Sequence, residues 1–221
     1  MKIALFGGTF NPVHYGHLRL AEEVREGLGF DKVIFVPAAI PPHKGDVETL
    51  DAKNRLEMTG LAIKGNPCFE LSEAEIRRQG PSYTIDTIRG FSDEDAKVGK
   101  ARSISIIIGA DSFNDITTWC EYEEILKLAS LVVVERPGTP VKKIAEVLPD
   151  SIARKYRYES ETRSYIREAG ASITYISTTL MAISSSEIRQ RVMEGISIRY
   201  LLPPEVAEYI IENKLYACGK A

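Results

Sequence analysis

With 221 residues, 44% of them apolar and 27% charged, the chain has the make-up of a soluble globular protein sized for one domain, 1–221, with a helical subregion from about 184 onward. A net charge of −3 argues against a general nucleic-acid binder, which carries a basic surplus, and leaves only local basic clusters for a small anion. No apolar run approaches the roughly 18 residues of a membrane span, no leader pattern precedes the first strand, and Cys68, Cys120 and Cys218 form no CxxC pair, so a reducing, cytoplasmic setting without a membrane partner is expected.

KIALF, residues 2–6, reads as a buried strand running into Gly7 and Gly8. From His17 to Leu28, Leu18, Ala21, Val24 and Leu28 fall on one helical face. KVIFVP (32–37) is a second buried strand, ended by Pro37. Asp51 is placed to cap a helix that carries Leu56, Leu61 and Ile63. FELSEAEI (69–76) alternates like a half-exposed strand, and Ser82 is expected to cap a helix holding Ile85 and Ile88. The polar run 92–103 predicts a loop, SISIII (103–108) a strongly buried strand, and 121–129 a helix before the strand LVVVE (131–135). The charged segment 153–170 is expected to be partly helical. ITYI (173–176) is the last strand, followed by helices at about 184–194 and 204–213. Strands that alternate with helices need crossovers, so the predicted fold is α/β: a doubly wound, mostly parallel sheet.

The chemistry concentrates where strands end. Only three histidines occur, His14, His17 and His43, and all fall near the ends of predicted strands. Beyond the carboxyl ends of such strands ligands bind, and a helix N-terminus there presents unpaired N–H groups to an anion. His14 and His17, at i and i+3, share one face of the first helical turn. The glycine pair matches neither the Walker pattern nor the dinucleotide fingerprint. An ordinary turn with two surface histidines, or a metal pair lacking its remaining ligands, are the alternatives. Likewise Ser184 and Ser185 read as helix caps, Asp111 as an N-cap, Lys44 as a surface lysine and Trp119 as core. Arg189 fits the cap reading poorly, since a cation one turn into a helix opposes the macrodipole unless an anion offsets it.

GGTFNPVHYGH (7–17) resembles the (T/H)xGH signature of the nucleotidyltransferase superfamily, and ISSSEIRQR (183–191) resembles its ISSSxIR loop. With PPHK (41–44), PSYTIDTI (81–88), IGADSFNDITTW (108–119) and VVVERPG (132–138), the chain is similar to the bacterial nicotinate-nucleotide adenylyltransferases. Asn11 stands where many members carry Asp, and the polar stretch from about 150 to 172 maps onto none of these motifs. The resemblance implies a Rossmann-like nucleotidyltransferase fold and transfer of the ATP adenylyl group to nicotinate mononucleotide in NAD biosynthesis. Nicotinamide mononucleotide, phosphopantetheine or a non-catalytic regulatory role are the competing implications. It assigns His14, His17 and Arg189 to catalysis. Gly8, Thr9, Phe10, Gly109, Asp111, Ile183, Ser184 and Ser185 then fall to ATP. Lys44, Ser82, Tyr83, Thr84, Trp119 and Arg136 fall to the mononucleotide. Mg²⁺ is expected to travel with ATP rather than in a protein cage, and self-association into a homo-oligomer stays open. The attacking phosphate, with a second pKa near 6, is already an adequate nucleophile at neutral pH, so the site must supply alignment and positive potential rather than a base.

Overall fold

A computed structural model describes residues 1–40, 49–78, 80–97, 99, 101–135, 140–167 and 171–217. In it the strands β1 (Lys2–Gly8), β2 (Lys32–Pro37), β3 (Phe69–Leu71), β4 (Ser103–Gly109), β5 (Ser130–Glu135), β6 (Tyr156–Glu159), β7 (Ser164–Arg167) and β8 (Ser172–Ser177) form one eight-stranded sheet. Their order is β3-β2-β1-β4-β5-β8-β7-β6. Pairings from β3 through to β8 are parallel, while β7 runs antiparallel to β8 and β6 to β7.

The period-two alternation of the strands divides the core in two. Ile3, Leu5, Ile106, Ile108, Leu131 and Val133 point to one face. Ala4, Phe6, Ile107, Val132 and Val134 point to the other. Continuous apolar runs are what a sheet covered on both sides demands. The helices supply both covers: α1 (Tyr15–Leu28), α2 (Ala52–Ile63), α3 (Ala74–Arg77), α4 (Thr84–Lys97), α5 (Ala110–Asn114), α6 (Tyr122–Leu128), α7 (Ile144–Val147), α8 (Asp150–Ala153), α9 (Ser185–Met193) and α10 (Pro204–Glu212). Ile85 and Ile88 of α4 and Ile125 of α6 join the first core. Val24 of α1, Met58 of α2, Ile188 of α9 and Ile210 of α10 join the second. The C-terminal helices therefore close the same core that α1 and α2 begin. Tyr209 Oη fixes the seam by donating to Asn54 Oδ1 at 2.8 Å. The connections leave β1 towards β2 on one side and reach β4 on the other, so the crevice at the carboxyl ends of β1 and β4 is the switch point where ligands bind.

The structure corrects four expectations. Only Phe69–Leu71 of the 69–76 segment is a strand. Ser72 Oγ then accepts from the Ala74 N–H at 3.2 Å and the chain turns into α3. The polar run after 92 is not all loop, because α4 continues to Lys97. Asp95 on it is buried against Arg102, whose guanidinium also covers the Phe91 ring. Residues 156–167 form a hairpin rather than helix, with Tyr158 opposite Tyr165 and ring centroids 4.8 Å apart. Ser82 is not the cap of α4. Its Oγ instead accepts from the Ala39 N–H at 2.9 Å, tying the helix entry to the loop after β2.

Candidate active site

The segment Gly8–His17 leaves β1 and folds tightly before α1. Phe10 adopts a left-handed φ of 47°, and its ring lies back over Gly8, where a Cβ would come within 2.9 Å of it. Gly8 is not among the positive-φ glycines, so glycine is favoured at position 8 by this contact with the Phe10 ring and not by backbone conformation. His14 is the N-cap residue of α1, with an extended backbone (φ −150°, ψ 172°), and is 6% exposed. Its ring crowds Gly16, where a Cβ would approach within 3.0 Å. The His14 N–H donates to His17 Nδ1 at 3.3 Å. Nδ1 therefore acts as acceptor, which places the His17 proton on Nε2. The two imidazoles stack with centroids 3.8 Å apart, and the Phe10 ring meets His17 edge-on at 5.2 Å. His17 is thus oriented by three contacts from two neighbours, His14 and Phe10, before any ligand arrives.

The second motif comes to the first across the whole length of the chain. Ser184 caps α9 by accepting from the Glu187 N–H at 3.1 Å. Ser185 Oγ donates to the Pro12 carbonyl at 2.8 Å. Arg189 donates to the Asn11 carbonyl at 2.8 Å and to Ser186 Oγ at 3.4 Å. Asn11 Oδ1 accepts from Tyr216 Oη at 2.8 Å, a bond in which an aspartate oxygen would serve equally. Burial pushes the Tyr216 phenol above its ordinary range and keeps it a donor. Between the motifs lies a cleft of about 650 Å³, lined by His14, Gly16, His17, Ile183, Ser184 and Ser185 among others. The wall opposite includes Glu135, from the VVVERPG segment, and Ser177 and Thr178, which no sequence motif marked. Glu135 would repel an anion, but Arg163 pairs with it at 2.8 Å and Ser177 hydrogen-bonds to it.

A second cleft of about 550 Å³ is lined by Gly8 and Thr9 and bounded by Ser82, Tyr83, Thr84 and Trp119. Trp119 is half-buried, packing against the first core while lining this cleft. With α4 starting at Thr84, its entry donors sit one residue later than a Ser82 cap implies. The Ser82 N–H bonds to the Ile40 carbonyl and the Tyr83 N–H to the Pro81 carbonyl, each at 3.1 Å. The first intrahelical bond runs from Thr87 N–H to the Tyr83 carbonyl, which leaves Thr84, Ile85 and Asp86 as the first-turn donors without a partner inside the helix. Gly109 is the N-cap of α5 and Asp111 an exposed residue of its first turn. They stand at the carboxyl end of β4 but line neither cleft; Ser112 lines the second. Lys44 and Arg136 lie outside the described residues.

Glu75 lies beneath the second cleft and carries no sequence signal. It is buried, accepts from Thr87 Oγ1 at 2.7 Å and lines a small chamber with Ser82, Thr84 and Trp119. Burial raises its pKa above the ordinary 4.5, opposed by hydrogen bonds from Thr87 and Ser82 and by the nearby Arg78. As pH climbs past 4.5 the unfolded chain releases this proton while the folded chain retains it, so the group costs stability over the interval up to its raised value. Glu75→Gln removes that cost at any fixed offset. The melting temperature of the variant minus that of the native protein is expected to rise as pH increases through this interval. A difference that stays flat with pH would show that Glu75 titrates normally.

A family model described as cytidylyltransferase-like matches residues 5–191. The chain belongs to the cytidylyltransferase-like family. Within it, a protein of Citrifermentans bemidjiense named "Probable nicotinate-nucleotide adenylyltransferase" is 44% identical over 220 residues, covering 98% of each chain. One of the same name from Pelobacter propionicus is 45% identical over 217 residues, covering 98% of this chain and 99% of its own. Among solved structures, the Plasmodium falciparum nicotinic acid mononucleotide adenylyltransferase complexed with NaAD superposes with a TM-score of 0.69 at 18% identity, covering 97% of both chains, a likeness of fold. The cytidylyltransferase-like match takes in both motifs that wall the larger cleft. Among the described residues no helix is long and apolar enough to cross a membrane.

Proposed function

We infer that this chain transfers the adenylyl group of ATP to nicotinate mononucleotide, giving nicotinate adenine dinucleotide and pyrophosphate in NAD biosynthesis. One observation carries the reading: the Gly8–His17 segment walls two clefts at once, with the first turn of α9 fastened to it. Two nucleotides held either side of one phosphate-binding loop is the arrangement that in-line attack on an α-phosphorus needs. In this reading the larger cleft takes ATP. His17 Nε2–H meets charge growing on the α-phosphate, His14 and the N–H groups at the start of α9 hold phosphate oxygens, and Arg189 meets the pyrophosphate. Imidazole, hydroxyl and guanidinium donors suit phosphate oxygens rather than a hard cation, so Mg²⁺ arrives as part of the substrate, on the triphosphate. The second cleft takes the mononucleotide, with Trp119 against the pyridine ring and the first-turn N–H groups of α4 towards its carboxylate. A cytoplasmic location accords with cysteines that lack paired spacing.

The test is substrate choice. A carboxamide NH₂ facing N–H donors loses its water without gaining an acceptor, an uncompensated cost of about 1–3 kcal/mol. With ATP and Mg²⁺, nicotinate mononucleotide is expected to exceed nicotinamide mononucleotide by at least about tenfold in kcat/KM, read by pyrophosphate release. Equal values would favour a dual-specificity enzyme. Absence of turnover with both would favour a nucleotide-binding regulatory module.

A further inference from the structure

Arg55 is the most deeply buried charge in the described structure, 1% exposed in the first turn of α2. Among the described residues its hydrogen bonds go to carbonyls alone. Nε donates to Leu50 at 2.9 Å, Nη1 to Thr9 at 2.8 Å and Nη2 to Ala39 at 3.1 Å. Burial without a bonded carboxylate pulls its pKa below the ordinary arginine value, with Asp51 and Tyr216 only partly offsetting this. A buried guanidinium is costly unless its donors are well satisfied, and simple packing would be served better by an apolar side chain.

Two of the three carbonyls, Thr9 and Ala39, belong to segments that build the second cleft, while Leu50 precedes α2. Thr9 is in the loop after β1, while Ala39 follows β2 and takes the Ser82 hydroxyl on its own N–H. The Thr9–Phe10 peptide matters most. The cis bond identified in this segment is Asn11–Pro12, so the Thr9–Phe10 peptide is planar and trans, with its C=O and N–H pointing in opposite directions. With the Thr9 oxygen held by Arg55, the Phe10 N–H points away from α2. Phe10 also holds a φ of 47°, a conformation that a bulky residue keeps only where its surroundings enforce it.

We propose that Arg55 is a positioning residue of the nucleotide site: by gripping the Thr9 carbonyl it fixes the Thr9–Phe10 peptide so that the Phe10 N–H is presented to a phosphate oxygen of ATP. The proposal rests on the ATP reading above. Arg55 touches no substrate itself. It acts through a backbone donor, as a preorganised dipole must be held if it is not to reorient during the reaction. Its grip on Ala39 sets the spacing between this loop and the mononucleotide side.

Calorimetric titration of Mg²⁺ and α,β-methylene ATP into the native protein, Arg55→Lys and Arg55→Gln separates a role in the site from a role in folding. The fitted stoichiometry counts folded sites, and the dissociation constant reports their geometry. Both variants are expected to keep a stoichiometry near that of the native protein while binding at least about tenfold more weakly. Lysine keeps the charge but cannot grip three carbonyls, and glutamine keeps a donor without the buried charge. A folded variant with native affinity would overturn the proposal. If neither variant shows a thermal unfolding transition, Arg55 is a folding determinant and the proposal fails. Should the native protein itself not bind the analogue, the ATP reading fails and the proposal falls with it.

Discussion

Replacing His17 by alanine is expected to lower kcat by about 100- to 1000-fold, the loss typical of one preorganised donor to developing charge. The structure gives the reason. His17 Nδ1 is occupied by the His14 N–H, so Nε2 carries the proton. Stacking on His14 and edge contact with Phe10 hold the ring in place before substrate binds. A donor fixed in this way stabilises most strongly the state with the greatest charge, which is the transition state. In the proposed reading, ground-state binding is spread over the N–H groups at the start of α9, His14 and Arg189. The dissociation constant for an unreactive ATP analogue should therefore change by less than about tenfold. Steady-state pyrophosphate release and analogue titration on the same preparation test both halves. A variant with near-native kcat would remove His17 from the chemistry, and one that no longer binds the analogue would make it a ground-state ligand.

The place of His17 in the cleft was legible in the sequence because it follows from local order: a strand, a glycine pair, then two histidines one helical turn apart. The same holds for Ser184 and Arg189, which a short motif places in and just after the first turn of α9. Residues that act by burial carried no such mark. Arg55 looks like any helix arginine until the loops fold around it, and Glu75 sat in a segment whose alternation suggested a strand. Ser177 and Thr178 gain meaning only from β8 ending beside the larger cleft. Ser82 does line one cleft with Tyr83, Thr84 and Trp119, but it was given the wrong bond, because cap propensity is local whereas its partner, Ala39, is brought by the sheet.

The fold shows the same division. Buried parallel strands are continuous apolar runs, so β1, β2, β4 and β5 stood out. The hairpin of β6 and β7 did not. Its charges fall on an exposed surface, and the informative alternation, Tyr156 and Tyr158 against Tyr165, is too short to outweigh them. Its function as part of the sheet appears in Arg163, from the turn between the two strands, which neutralises Glu135 at the cleft wall.

Arg189→Lys is expected to reduce kcat/KM for ATP by roughly 10- to 100-fold, while the KM for the mononucleotide changes by less than about threefold. Arg189 lies one turn into α9, where the macrodipole disfavours a cation. Among the described residues it makes no ion pair. Its guanidinium is braced by the Asn11 carbonyl and Ser186 Oγ, and Tyr216 steadies Asn11 from the other side. A braced cation at an unfavourable helix position needs an anion to justify it, and the triphosphate is the anion that this reaction brings. Lysine preserves the charge but loses the planar fork, so one hydrogen bond to Asn11 or to phosphate must be given up. A bond to a charged group is worth about 1.5–3 kcal/mol, which at 1.4 kcal/mol per tenfold sets the expected range. Arg189 is not among the residues that line the second cleft, so mononucleotide affinity should be spared. Equal losses for both substrates would mean that Arg189 acts by bracing the loop at Asn11. Native values for both would make it a surface residue whose bond to Asn11 is incidental.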